Sequence, residues 1–382
     1  MLHFTEDEFA RRRTATMDAM KERKLDAMLM FAQESMYWLT GYDTFGFCFF
    51  QCLVMKADGE MALLTRSADL RQARHTSNIE NIVIWGDHAN ADPTKDLRNL
   101  LADMGLLGSK LGVEYDTHGL TAYNGRRLDN TLKTFADLDD ASSLVHLLRL
   151  VKSDEEIAYV RKAANHADAA FDAALKTTKA GVNEAKILAA MQGAVLEAGG
   201  DYPGNPFILG SGDDALLCRY KAGRRKLSKN DQLTIEWAGV EAQYHVAQMR
   251  TLVIGKPREN HEAMFKAAKA ALDAVEGAMV VGNTFGDVFT AHAKAMDAHH
   301  QSRNRLNACG YSLGARYAPC WMDGPMFYEG NPTVIEPNQV LFAHMILMDS
   351  ETNTAMCPGR TYLTSEKGPK ALTKHPMEFV TL

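Results

Sequence analysis

The chain has 382 residues, more than one hydrophobic core usually organises, so two domains are expected. A formal net charge of −6, with Lys and Arg scattered, offers no basic field to nucleic acid or an anionic membrane; the expected partner is a small molecule. No apolar run approaches the roughly 20 residues that span a bilayer, and Met1-Leu-His-Phe-Thr-Glu-Asp-Glu8 is acidic where a signal peptide is basic, so a cytoplasmic address is expected.

Helical periodicity from Glu6 to Lys24 is followed by buried-strand patterns at Leu25–Phe31 and Phe47–Met55, a hairpin turn at Lys56–Glu60 and a strand at Met61–Thr65. Strand-like runs at Ile82–Trp85 and Lys110–Glu114 then alternate with helical segments at Ala68–Ser77, Thr94–Met104 and Thr121–Lys133, which predicts an α/β domain over 1–146. At the junction Leu147-Leu-Arg-Leu-Val-Lys-Ser-Asp-Glu-Glu-Ile157, Ser153 and Glu156 form the capping-box pattern of a helix running to about Lys179. A second helix follows to about Glu197, then a Gly- and Pro-rich loop at Gly199–Gly212 and strands around Leu209 and at Leu216–Tyr220.

A long hairpin spans Leu233–Ile254, succeeded by helices at Glu262–Val275 and Thr284–His299 and strands near Thr333 and at Val340–Met348. Gly359–Thr373 reads as a strand, a turn and a last strand, making 147–382 an α+β domain with two helix pairs and internal pseudo-symmetry. The six cysteines are widely spread in apolar or motif-like surroundings and read as reduced thiols.

Several pieces occur in an order that resembles the creatinase and Xaa-Pro peptidase superfamily of M24 type: Arg149-Leu-Val-Lys-Ser-Asp-Glu-Glu156; Ser211-Gly-Asp with Arg224-Arg-Lys-Leu-Ser-Lys-Asn-Asp231; the hairpin ending Met249-Arg250-Thr251; Gly310-Tyr-Ser-Leu-Gly314; Ile335-Glu-Pro-Asn-Gln-Val340; and the stretch near Thr364. The resemblance covers essentially the whole chain. It implies an α/β N-terminal domain plus an α+β pita-bread C-terminal domain, and a homodimer in which the N-terminal domain contributes to the partner's active site.

In metal-dependent members, two aspartates, a histidine and two glutamates hold a pair of divalent ions. Carried over, these positions fall on Glu236, Ala247, Tyr311, His344 and on or beside Gly359, a set too poor in carboxylates for hard divalent cations. The resemblance therefore points to a metal-free branch, most like ectoine hydrolase or creatinase, with no metal and no cofactor. The shared features include Gly41-Tyr-Asp43 with Gln51-Cys52, and Tyr317, Pro319 and Trp321; the departures are Cys320 and Gly359, where the ectoine-hydrolase pattern has an acidic residue and a glutamate.

Within that frame, Glu236 lies between Ile235 and Trp237 in a strand expected to be buried, where a carboxylate is costly unless paired or functional. It is expected either to do general acid/base work with a raised pKa or to pair with Arg250 across the hairpin. His245 shares a strand face with Ala247 and is read as catalytic, against the alternative of a satisfied core histidine. Tyr311 and His344 are the expected charge-stabilising and relay groups. Arg219, at the family's catalytic-histidine position, and Arg250 are candidate forks for a substrate carboxylate. Tyr42, Asp43, Phe45 and Trp321 are expected at the substrate, the first three in the partner's pocket. The sequence thus predicts a metal-independent hydrolase of a C–N bond in a small zwitterionic or carboxylate-bearing nitrogen compound. The alternatives are a non-catalytic small-molecule binder or an Xaa-Pro dipeptidase or aminopeptidase-like protein.

Overall fold

The computed structural model describes residues 2–220 and 223–382, which divide into two compact units, Met1–Arg149 and Leu150–Leu382. The first contains a six-stranded mixed sheet in the spatial order Asn81–Trp85, Met61–Arg66, Cys52–Lys56, Ala27–Met30, Lys110–Val113, Asp137–Asp140. Its centre is antiparallel and its flanks parallel, because Cys52–Lys56 and Met61–Arg66 are joined by the tight turn at Asp58-Gly59 while the outer strands return through helices. Apolar side chains fill both faces of the sheet. The α/β expectation for this part of the chain agrees with it.

Three local readings need correction. The strand expected from Phe47 begins only at Cys52, since Gly46–Cys48 is a short 3-10 turn with Phe45 and Phe49 exposed. The helix Gln33–Thr40 went unforeseen: all eight of its residues are buried, so it lacks the one-sided apolar stripe that betrays a helix. Its N-terminus is capped from afar by Glu114, whose carboxylate accepts the N–H groups of Phe31 and Ala32 and the Ser35 hydroxyl. The edge strand Asp137–Asp140 was also missed, three of its four residues being aspartates.

The second unit is an α+β layer structure. Its main sheet runs Asp323–Tyr328, Ala308–Ser312, Val340–His344, Gly359–Leu363, Tyr244–Ile254, Asp231–Glu241, Ile208–Ser211, with two short strands attached. Two helix pairs accompany it, Asp154–Thr177 with Glu184–Glu197 and His261–Ala278 with Phe285–Ala298. The capping box at Ser153 and Glu156 forms as expected: each side chain meets the other's backbone N–H. Helix Asp154–Thr177 lies close against the hairpin because Gly239 has no Cβ, which would strike the Ala163 carbonyl, and because the Trp237 indole donates to the Ala167 carbonyl at 2.8 Å. Leu216–Tyr220 is not a strand but follows a 3-10 turn at Gly212–Leu216, and the segment near Thr333 makes a single bridge, Thr284 to Val334. All six cysteines are free thiols, and no helix among the described residues is long and apolar enough to cross a membrane.

Candidate active site

The hairpin of Asp231–Glu241 and Tyr244–Ile254 carries the acid. Its two-residue turn, Ala242-Gln243, has both φ values positive, 49° and 68°, the twist that a tight hairpin of right-twisted strands requires. Register pairs Glu236 with Met249, and Ile235 with Arg250. Directly opposed residues share a face, so Glu236 and Met249 project to one side and Arg250 to the other. On its own side Arg250 is buried over the Phe171 ring and donates to the carbonyls of Met249 at 2.8 Å and Gly359 at 2.6 Å. The expected pairing of Arg250 with Glu236, and its alternative as a carboxylate fork, are both corrected: register parity turns it away.

Glu236 faces a cavity of about 290 Å³ walled by Pro206, Ile208, Pro319, Trp321 and Met322, with Asn205, Arg219, Tyr311 and Cys320 as its other polar contributors. Burial pushes its pKa from 4.5 up to about 7, only partly opposed by the Tyr311 hydrogen bond and the Arg219 charge. The Tyr311 hydroxyl donates to Glu236 Oε1 at 3.2 Å and accepts the Trp321 indole N–H at 3.0 Å. Trp321 is in turn fixed by its backbone N–H, which donates to Asn205 Oδ1 at 3.0 Å. The result is a relay of one proton-bearing phenol on one carboxylate, in surroundings dry enough to hold that carboxyl near neutrality. Such a carboxyl both accepts and returns a proton at neutral pH.

Arg219 is an exposed residue at the same cavity; it donates to the Cys218 carbonyl and makes no ion pair among the described residues. Its guanidinium is thus available to an anionic ligand. The cavity brings together Glu236, Tyr311, Arg219 and Trp321, four of the residues singled out in the sequence.

His245 does not join them. It is fully buried, its Nδ1 bonded to the Gln243 carbonyl at 2.8 Å and its Nε2 accepting the Gly204 N–H at 2.8 Å, so both nitrogens are spent on backbone. Burial lowers its pKa to about 4. Through these bonds His245 ties the Gly204-Asn205 loop to the hairpin end. His344 is buried with Nδ1 unpartnered, its ring against Tyr311 and Phe342, and no hydrogen bond links it to Glu236 or His245; the proton relay expected of it is not formed. Tyr42 belongs to the core of the first unit, fully buried with its hydroxyl on Gln51, and has no face for a ligand. Asp43 is half-buried, while Phe45 is 81% exposed.

The residues at the five family metal positions do not suit a pair of hard cations. Ala247 offers a methyl group, and its carbonyl is already taken by the Thr361 hydroxyl at 2.6 Å. At Gly359 a Cβ would stand 2.9 Å from the Phe342 ring and 3.0 Å from Met249, so apolar side chains occupy the space a carboxylate needs. Tyr311 spends its hydroxyl on Glu236, and among the described residues no three His, Cys, Asp or Glu side chains converge on one point.

Asn205, Pro206 and Ile208 were not anticipated as wall residues. The Gly204-Asn205-Pro206 run between a helix and a strand was the available signal, since binding residues gather on loops held by a rigid scaffold.

Residues 158–359 match the model of metallopeptidase family M24, and residues 12–151 match the creatinase/prolidase N-terminal domain. Among curated proteins, the chain is 28% identical to an ectoine hydrolase of Halomonas elongata over 88% of each protein. It is 25% identical to a creatinase of a Bacillus species over 98% of the chain and 92% of that protein. A prolidase structure from Thermococcus sibiricus superposes with a TM-score of 0.88 at 18% identity, covering 99% of this chain and all of that one, a likeness of fold.

Proposed function

The chain belongs to metallopeptidase family M24 and carries that family's creatinase/prolidase N-terminal domain, and from that premise we propose that it is a metal-independent hydrolase of a C–N bond in a small, carboxylate-bearing nitrogen compound, of ectoine-hydrolase or creatinase type. The observation that carries the reading is Glu236, a buried carboxyl held near pKa 7 at the wall of a small cavity, in contact with the Tyr311 hydroxyl. Arg219 binds the substrate carboxylate. Glu236 removes a proton from water as its oxygen attacks the amidine or amide carbon. The C–N bond then breaks, and the proton returns from Glu236 to the departing nitrogen. Tyr311, its one proton directed at Glu236, steadies the ionised carboxylate that takes the proton from water, and Trp321 holds the phenol in place.

The cavity volume suits a compact zwitterion rather than an extended peptide. Neutral carbons at Ala247 and Gly359 favour catalysis by side chains alone over the two-metal route of peptidases. The same reading has two copies pair so that Asp43 and Phe45 of each reach the other's cavity; the exposure of Phe45 supports it.

The test is incubation of purified protein, with and without chelator, with ectoine, creatine and an Xaa-Pro dipeptide, following products by mass spectrometry and measuring bound metal. Chelator-insensitive opening of ectoine or cleavage of creatine is expected. Stoichiometric divalent metal with chelator-sensitive dipeptide cleavage overturns the proposal, and saturable binding without any turnover replaces it with a binding protein.

A further inference from the structure

Glu184 is fully buried, lies outside the cavity, and has no part in the chemistry above. It opens the helix Glu184–Glu197, where the helix dipole favours a negative charge. One carboxylate oxygen accepts the Ser211 N–H at 2.9 Å and the Ser211 hydroxyl; the other accepts the Gly223 N–H at 2.9 Å. Ser211 and Gly223 are the two feet of the stretch that carries Arg219.

Among the described residues the stretch is also held near its first foot, where Gln232 Nε2 donates to the Gly212 carbonyl at 2.8 Å, and by turn hydrogen bonds from Leu217 to Asp214 and from Tyr220 to Leu217. The Leu209 N–H donates to the Tyr220 carbonyl at 3.0 Å, and Gly210 permits the approach because a Cβ there would strike the Asp214 carbonyl. Among the described residues Arg219 donates to its neighbour's carbonyl and lies near the Met322 sulfur, so where its guanidinium stands depends on where the feet stand. Arg225 completes the anchor, donating to the Ser211 hydroxyl oxygen at 2.7 Å and to Asp231 at 2.6 Å. Ser211 also ends the strand whose first residue, Ile208, walls the cavity.

We propose that Glu184 is a positioning residue: by gripping both feet of the Arg219 stretch with one carboxylate, it sets the guanidinium at the cavity for an anionic group of the substrate. The proposal rests on the reading of Arg219 given above. A glutamine at this place presents an amide N–H₂ to one of the two backbone donors, so one foot is released while size and shape are kept.

The experiment compares wild type, E184Q, S211A, R219A and E184Q/R219A in two measurements. Hydrogen exchange followed by mass spectrometry reads the amides of 208–220, and steady-state kinetics on ectoine and creatine read KM and kcat. In E184Q, exchange over 212–220 accelerates at least about ten-fold while the rest of the sheet stays protected, KM rises roughly ten-fold with kcat within about two-fold, and the defect vanishes in the R219A background. S211A, which keeps the carboxylate, shifts both readouts the same way by less. Unchanged exchange in E184Q and S211A overturns the proposal, and so does a KM increase that is as large without Arg219 as with it. If wild type neither binds nor converts ectoine or creatine, the reading of the cavity has failed, and the exchange measurement still decides whether Glu184 holds the stretch.

Discussion

The Tyr311 hydroxyl lies 3.2 Å from Glu236 Oε1 and 3.0 Å from the indole nitrogen of Trp321. An indole N–H only donates, so the phenolic oxygen must accept from it, and the single phenol proton is aimed at the carboxylate. Tyr311 is therefore a donor of fixed direction, and burial raises the acid it serves to a pKa of about 7.

Replacing Glu236 by glutamine keeps volume and removes the proton acceptor. Turnover should fall by about two to four orders of magnitude with the fold intact, the span typical of a lost general base. Product formation on ectoine or creatine, with circular dichroism as control, checks this. A variant that retains full activity removes Glu236 from the chemistry.

Tyr311→Phe deletes the donor to the ionised carboxyl. Since that hydrogen bond lowers the Glu236 pKa, its loss should move the rise of kcat/KM with pH, expected near 7 in wild type, upward by about one unit. The Trp321 N–H is also left unpaired in the interior, costing about 1–3 kcal/mol of stability. A pH–rate profile beside a thermal melt separates the two effects.

Stability and pH should be linked with opposite signs for the buried histidines and the buried glutamates. Burial depresses His245 from 6.5 to about 4, so its contribution is present above pH 6.5 and is lost as pH falls toward 4; His344, depressed to about 3, acts the same way. Glu236 is raised from 4.5 to about 7, so its contribution is present below pH 4.5 and lost as pH rises through 7. The shifts of His245 and Glu236 are each worth on the order of 3 kcal/mol at most, and four buried histidines lowered, His245, His261, His292 and His344, against two buried glutamates raised, Glu114 and Glu236, make net acid lability the expected outcome. Melting temperatures between pH 5 and 8 should fall on the acid side in wild type and fall less in H245Q; an unchanged slope in H245Q refutes the assignment.

His245 also separates a clamp from a catalyst. Leucine leaves the Gly204 N–H without its acceptor and should cost about 2 kcal/mol, whereas glutamine restores an acceptor and should keep kcat within a few-fold. A folded H245Q protein with kcat reduced a hundred-fold would return His245 to the catalytic list.

Gly359→Ala places a methyl group 2.9 Å from the Phe342 ring and should destabilise the protein by about 1–3 kcal/mol. Phe342→Leu in the same molecule should recover much of that loss. Denaturant midpoints of the four proteins in the cycle measure the coupling; simple additivity argues against the contact.

The fold was largely legible because its long elements keep their periods: the capping box at Ser153, the two helix pairs and the hairpin all stand where pattern and punctuation put them. What escaped lacked a period, as in the wholly buried Gln33–Thr40 and the aspartate-rich edge at Asp137–Asp140. The cavity was half legible. Glu236, Tyr311, Trp321 and Arg219 meet there, while Arg250 and His245 lie outside its lining for different reasons. Arg250 is one residue out of phase with Glu236 in register, a parity that motif matching does not test. His245 has the right phase but lies at the hairpin's tip, where backbone groups claim both nitrogens. Glu184 carried no signal at all, because its partners Ser211 and Gly223 lie 27 and 39 residues away.

The Phe342 ring packed over Gly359 bears on redesign as well as on chemistry. A variant given carboxylates at 247 and 359, two of the five family metal positions, has no safe first step. Glutamate at 359 collides with Phe342 and Met249; aspartate at 247 enters a fully buried position with no cation to offset its charge. Shrinking Phe342 beforehand opens a void in the sheet's interior, with its own penalty. Each of these first steps lowers stability, so the Phe342 ring stands as a barrier to building a carboxylate at 359.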